Sequence, residues 1–164
     1  MKNYIVFKFI RRLFCLIGNY CPPKLNSFFY KLAGVKFNFK KVWFGNKCYV
    51  DTIFPENIII GDNVCFSYGV TLIAHFDPSR SIKNHIIRRY KNKIKIEEGV
   101  FIGPGTIILP GVTIKKNSFI RAGAVIKNDT KQNSIIEGNP QKQVGIINKK
   151  LFDKFNLLNK NNQF

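Results

Sequence analysis

The sequence predicts a mainly β chain wound as a parallel β-helix, and three columns read at a spacing of six residues predict it. The first column is apolar: Val42, Cys48, Phe54, Ile60, Phe66 and Leu72, resuming in phase as Ile96, Ile102, Ile108, Ile114, Ile120 and Ile126. The second, three places on, holds Gly45, Asp51, Asn57, Asn63 and Gly69, then Gly99, Gly105, Gly111, Asn117, Gly123 and Asp129, all residues that tolerate a left-handed backbone. The third, four places after the apolar one, is mostly small or β-branched: Asn46, Thr52, Ile58, Val64, Val70, Val100, Thr106, Val112, Ser118, Ala124 and Thr130. A helix cannot absorb a left-handed breaker every six residues, whereas short strands joined by tight bends can. Each hexad then forms one flat side, three sides make a coil, and coils stack at the β spacing of roughly 4.8 Å. A coil of this kind is stable only against its neighbours.

The elements follow in chain order. Residues 1–41 are expected to form an N-terminal helical cap. Within it, Tyr4–Ile17 reads as a basic amphipathic helix, interrupted by Lys8, Arg11 and Arg12, and Leu25–Ala33 as a second helix between Pro22-Pro23 and Gly34. The β-helix is expected over 42–140, with coils at 42–59, 60–75, 96–113 and 114–131, and Ser134 to Pro140 ending the stack. Between Leu72 and Ile96 the period fails: its phase positions are Pro78, Asn84 and Tyr90, and residues 76–93 read as an extended loop thrown out of the winding. The C-terminal segment 141–164 is expected to carry a short helix at 151–158 and a mobile Asn-rich end.

Composition narrows the function classes. The 164 residues (45% hydrophobic) suffice for one domain with its own core. No apolar run approaches the roughly 20 residues of a membrane span, and the start lacks an uninterrupted signal-peptide core, so a cytoplasmic chain is expected. Cys15, Cys21, Cys48 and Cys65 show no Cys-x-x-Cys spacing and only His75 and His85 accompany them, so four reduced thiols and no metal are expected. The formal charge is +18, with ten Lys/Arg and no acid in residues 1–50 and seven Lys/Arg and no acid in residues 78–96. Such patches attract phosphates, anionic membranes or nucleic acid. No zinc finger, helix-turn-helix or RNP-type aromatic motif accompanies the charge, so nucleic acid is not the expected partner. The N-terminal helices are assigned to capping the open β edge, with peripheral contact at the inner face of the membrane as their alternative use.

His75 ends the second coil, where the loop begins, and takes a place that Gly, Asn or Asp fills elsewhere in the bend column. A repeat position held by the wrong residue type points to chemistry. With Gly69-Val70-Thr71-Leu72-Ile73-Ala74-His75 come Ile102-Gly103-Pro104-Gly105, Leu109-Pro110-Gly111-Val112-Thr113-Ile114, Ala122-Gly123-Ala124 and Gly138-Asn139-Pro140. In these motifs the chain resembles the hexapeptide-repeat acyltransferases, in particular sugar O-acetyltransferases of the galactoside/maltose and surface-polysaccharide type. The resemblance covers roughly residues 25–145. It implies a left-handed β-helix, a homotrimer, and acetyl-CoA as acyl donor in the cleft between subunits.

The resemblance places His75 at the catalytic position. An alcohol attacks a thioester at neutral pH only if its proton is removed as it attacks, and a neutral imidazole, with an ordinary pKa near 6.5, is the suited general base. Asp77 either hydrogen-bonds His75 and fixes its tautomer or is a turn residue before Pro78. Asp51 either contacts the acceptor or is a bend residue. His85, with no motif around it, reads as a surface residue. By resemblance Pro104, Ala122, Gly123, Lys127 and Lys142 meet coenzyme A. Three positions depart from the family pattern: Pro104 replaces a small polar residue, Lys127-Asn128 a Thr-Lys pair and Gly145 a second base, for which Lys149 and Lys150 are candidate substitutes.

The expected function is therefore acetyl-CoA-dependent O-acetylation of a sugar hydroxyl in a surface polysaccharide, lipopolysaccharide or related glycan. The basic loop beside His75 suits an acidic or phosphorylated carbohydrate acceptor. One alternative is N-acetylation of an amino-sugar nucleotide. Another, from a different class, is a non-catalytic basic β-solenoid that binds an anionic polymer. A carbonic anhydrase of the same fold would need three zinc-binding histidines, one more than the chain has.

Overall fold

The computed structural model describes residues 2–85 and 90–148 and is mainly β with helices at its start. Two helices, α1 (Lys2–Tyr20) and α2 (Leu25–Ala33), precede the strands. The first coil comprises β1 (Val42–Phe44), β2 (Tyr49–Val50) and β3 (Ile58–Ile60), with a 3-10 turn at Pro55–Asn57. Next come β4 (Val64–Phe66) and β5 (Thr71–Leu72), then an excursion holding β6 (His75–Phe76), α3 (Arg80–His85) and β7 (Tyr90–Lys91), and then β8 (Ile94–Ile96). The remaining strands are β9 (Phe101–Ile102), β10 (Ile107–Ile108), β11 (Thr113–Ile114), β12 (Phe119–Ile120), β13 (Val125–Ile126), β14 (Ser134–Glu137) and β15 (Lys142–Ile146). The expected helix at 151–158, and Lys149 and Lys150, lie outside the described residues.

The chain visits three sheets in turn. They run β1-β4-β9-β12-β14-β15, β2-β5-β10-β13 and β3-β8-β11, and every pairing is parallel except β14 with β15. Register puts side chains of one kind over one another. Phe44 lies over Phe66, Ile102, Ile120 and Ile136. Val50 lies over Leu72, Ile108 and Ile126, and Ile60 over Ile96 and Ile114. None of these twelve is more than 4% exposed, so the three ladders point one apolar column each into a shared core. The Phe44 and Phe66 rings stack 4.5 Å apart, close to the strand spacing. Between ladders, Thr106, Ser118 and Ser134 are buried because each hydroxyl bonds the carbonyl three residues earlier, at Gly103, Lys115 and Lys131.

The register corrects the six-residue reading in the first coil. Val42, Cys48 and Phe54 are buried, but the column over Phe66 and Leu72 is occupied by Phe44 and Val50. Val50 and Ile60 stand ten positions apart where Ile108 and Ile114 stand six apart, so four additional residues sit between β2 and β3. The bend column moves with them. Left-handed backbone occurs at Lys47, Asn63, Gly69, Gly99, Gly105, Gly111, Asn117, Gly123 and Asn133, and not at Gly45, Asp51, Asn57 or Asp129. Gly45 is small for another reason: a Cβ there would come within 2.8 Å of the Ser67 backbone. Asp51 is therefore no left-handed bend residue.

The excursion also differs from a plain loop between coils. It leaves after β5 and returns to β8, which pairs with β3 and supplies the third side of the second coil. Its two stems pair antiparallel, His75 with Lys91 and Phe76 with Tyr90, and the Asn92 N–H bonds the Ala74 carbonyl at 3.1 Å.

At the start of the winding, side chains and backbone of residues 19–36 meet groups of β1, β2 and β3, each the first strand of its sheet. Asn19 exchanges two hydrogen bonds with the Val50 backbone (2.9 and 3.2 Å), Asn26 donates to the Gly45 carbonyl, and the Tyr30 hydroxyl donates to the Cys48 carbonyl at 2.8 Å. Lys36 pairs across to Ile59. The amphipathicity of α1 is turned outward. Lys8, Arg11, Arg12, Cys15, Gly18 and Asn19 face the protein, while Val6, Phe9, Ile10, Leu13, Leu16, Ile17 and Tyr20 share an exposed stripe. Among the described residues no helix is long and apolar enough to cross a membrane. All four cysteines are free thiols.

Candidate active site

Asp51 and His75 are brought together at the corner where both additions to the winding emerge. Asp51 follows β2 and precedes the four additional residues; His75 opens the excursion one coil on. The His75 Nδ1 and Asp51 Oδ2 are 2.6 Å apart. Asp51 is 2% exposed, and its burial is compensated: Oδ1 accepts the N–H groups of Ile53 and Phe54 (2.8 and 3.0 Å) and Oδ2 that of Ala74 (2.8 Å). A carboxylate that accepts three backbone N–H bonds is an acceptor toward the ring as well. Nδ1 therefore carries the imidazole proton and Nε2 the free lone pair. A ring so oriented can take a proton at Nε2 and have the resulting charge balanced by the carboxylate behind it.

The surroundings of the pair are aromatic and cationic. The Phe54 ring meets the imidazole edge-on with centroids 5.4 Å apart. Cys15 of α1 lies behind, its thiol directed at the Val50 and Asp51 carbonyls (3.4 and 3.5 Å). Burial, and the negative charge of Asp51, push that thiol up to about 12, so it stays protonated and is no nucleophile.

The other expected site residues fall elsewhere. The carboxylate on His75 Nδ1 is Asp51, a role that was one of the two readings of Asp77; Asp77 meets the Lys83 ammonium at 2.5 Å. Asp51 itself, expected to contact the acceptor or to form a bend, is buried behind the imidazole. Pro104 and Ala122 line a cavity of about 610 Å³ with Phe101, Gly103, Phe119, Arg121 and Gly138. Gly123 adjoins it in left-handed backbone (φ 69°), with open space where a Cβ would stand. Lys127 and Lys142 are exposed at the same end of the winding: Gln141, next to Lys142, accepts the Lys127 and Asn128 N–H groups. His75 does not line this cavity. Phe54, which meets the imidazole, and Lys8 and Lys91, which stand over the Phe54 ring, were not singled out as site residues by sequence reasoning. No signal in the six-residue phase marked Asp51 or Phe54 as site residues, because the apolar column reads unbroken through the first coil and the slip appears only in the register. Among the described residues no group of three or more His, Cys, Asp or Glu is placed to hold a metal ion.

Residues 93–128 match the family description "Bacterial transferase hexapeptide (six repeats)". That stretch carries hexapeptide repeats of the bacterial-transferase type. The galactoside O-acetyltransferase of Lactococcus lactis is 33% identical over 138 residues, which cover 80% of this chain and 62% of that protein. The chain spans roughly half to three-fifths of the length of this and the next curated relatives it matches. A maltose O-acetyltransferase structure from Clostridium difficile has the same fold, with a TM-score of 0.67, 21% identity, and coverage of 91% of this chain and 90% of that one. A galactoside acetyltransferase in complex with coenzyme A gives a TM-score of 0.63 at 22% identity, covering 92% and 85%.

Proposed function

We propose that this chain is an acetyl-CoA-dependent O-acetyltransferase acting on a sugar hydroxyl of a surface glycan, with His75 as general base. The observation that carries the reading is the Asp51–His75 pair, which leaves Nε2 with its lone pair on a half-buried ring. The named activities of the relatives, galactoside and maltose O-acetylation, support it. In this reading His75 Nε2 takes the acceptor's hydroxyl proton as the oxygen bonds to the acetyl carbonyl carbon. It returns that proton to the departing thiolate as the thioester C–S bond breaks, and Asp51 holds the ring throughout. Pro104, Ala122 and Gly123 offer the donor a wall of small side chains and exposed backbone beside the cavity, and Lys127 and Lys142 are the candidate phosphate contacts.

The reading includes a left-handed winding, three copies of the chain around a common axis, and residues 1–41 as a cap on the first coil. The edge contacts of Asn19, Asn26, Tyr30 and Lys36 support the cap. The exposed apolar stripe of α1 and the absence of acid from residues 1–50 support peripheral contact with an anionic membrane surface, and hence a cytoplasmic chain working at its inner face. Release of CoA from acetyl-CoA in the presence of candidate sugars tests the activity. Acetylation of the amine but never of a hydroxyl would move the chemistry to N-acetylation, and acetyl-CoA that neither binds nor turns over would end the proposal. Sedimentation equilibrium tests the trimer, and cosedimentation with vesicles containing phosphatidylglycerol tests the membrane contact.

A further inference from the structure

Two ammonium groups from distant parts of the chain converge on the Phe54 ring, which packs against His75. The Lys8 Nζ stands 5.2 Å from the centroid of the Phe54 ring and the Lys91 Nζ 5.0 Å from the same centroid. That ring touches the imidazole. Lys8 comes from the inward face of α1, and Lys91 lies directly across from His75 in the β6–β7 pairing. Attraction to a ring is weak at exposed sites, while two like charges gathered there repel one another.

The acids around the site do not neutralise them. Asp51 has both oxygens committed to four N–H donors, Glu56 meets Arg11 at 3.5 Å, and Asp77 meets Lys83. On the same inward face of α1, one turn beyond Lys8, Arg12 encloses its Nε with no hydrogen-bond partner. The chain therefore gathers two cations around the ring that packs against His75, and among the described residues no ion pair joins either of them to a carboxylate.

We infer that Lys8 and Lys91 form an anion subsite beside His75 that receives a carboxylate or phosphate group carried by the acceptor sugar. The inference rests on the acetyl-transfer reading and names the substrate class for it: a uronic acid or a phosphosugar rather than a neutral sugar. The donor's phosphates are the other source of the same chemistry. Pro104 and Ala122, which line the proposed donor cavity, lie at corners of the third and fourth coils, whereas Phe54 and Lys8 belong to the first coil and its helix. α1 is then part of acceptor recognition as well as a cover for the strand edge.

The experiment compares the full chain with Lys8→Met, Lys91→Met and the charge-retaining Lys8→Arg. Acceptor kinetics are read with galacturonate, glucose 6-phosphate and methyl galactoside, alongside the KM for acetyl-CoA and calorimetric binding of each sugar without donor. The expected result is a preference for the anionic sugars that falls about tenfold in each Met variant through KM rather than kcat, weakens with added salt, and is largely restored in Lys8→Arg. An equal loss on anionic and neutral sugars, or a rise confined to the acetyl-CoA KM, overturns the inference. The two readings separate cleanly. CoA release with neutral sugars and no anionic preference removes the subsite and leaves acetyl transfer standing. Lysine-dependent binding of galacturonate with no CoA release from any sugar keeps the subsite and removes the reaction.

Discussion

The third and fourth coils and the first two are built on the same ladders and differ in almost everything else. Phe101 and Phe119, and Ile107 and Val125, pair at a constant interval, and every corner between them is the shortest the winding allows. The first two coils carry four additional residues after β2 and the long excursion after β5, both from the same corner. The family match at 93–128 falls almost wholly on the regular half. The regular half supplies rigidity and the cavity wall; the irregular half supplies the titratable pair. In this chain the candidate pair sits where the repeat is broken, because a departure from the shortest corner lets a carboxylate and an imidazole from successive coils turn toward each other.

This contrast can be broken at its strongest point first. His75→Ala is expected to lower turnover by about a hundred- to ten-thousand-fold, the range for loss of a general base, with little change in melting temperature; CoA release and a thermal melt check both. Asp51→Asn keeps the shape but presents an amide N–H to Nδ1, so the imidazole changes tautomer. A loss of roughly ten- to a hundredfold is expected, and an activity equal to the parent's would show that the pair does not orient the ring. In the regular half the opposite pattern is expected. Ile120→Ala opens a hole in a fully buried column and costs about 2–5 kcal/mol, read as a lowered urea midpoint, while the KM of the surviving folded fraction stays near the parent's. Tyr30→Phe removes the bond to the Cys48 carbonyl at the first edge and costs about 1 kcal/mol.

The smallest effect is on pH. Cys15 and Cys48 are held protonated by burial, pushed up to about 12 and about 11 from an ordinary 9.0. The folded chain keeps these protons where the unfolded chain has lost them. Their contribution is therefore complete below pH 9 and is lost as pH rises from about 9 toward 11–12. Melting temperature should fall over that window, and Cys15→Ala should flatten the fall.

Legibility in the sequence followed the same division. From Ile60 to Leu72 and from Ile96 to Ile126 the apolar column, the left-handed corners and the small inward positions are set by hydrogen-bond ladders and sterics that repeat without change, so counting by six finds them. In the first coil the count slips, since four extra residues leave hydrophobicity intact and alter only register. Val42, Cys48 and Phe54 still read as apolar and are still buried, which is why composition did not betray the slip. His75 was visible because it is the wrong residue type for its place. Its link to Asp51 was not, because a buried Asp satisfied by backbone N–H groups and an Asp in a bend look the same in one dimension. Lys8 and Lys91 were hidden among many basic residues, and only their convergence on the Phe54 ring distinguishes them.

Because β3 pairs directly with β8, the β sheet closes beneath the excursion as though residues 76–91 did not exist. The ladders thus close whatever is strung between β5 and β8, much as a bead chain is indifferent to a pendant hung from one link. Mutation can lengthen, shorten or recharge the pendant without renegotiating the ladder, so on the proposed reading acceptor preference is free to change while the scaffold stays the same.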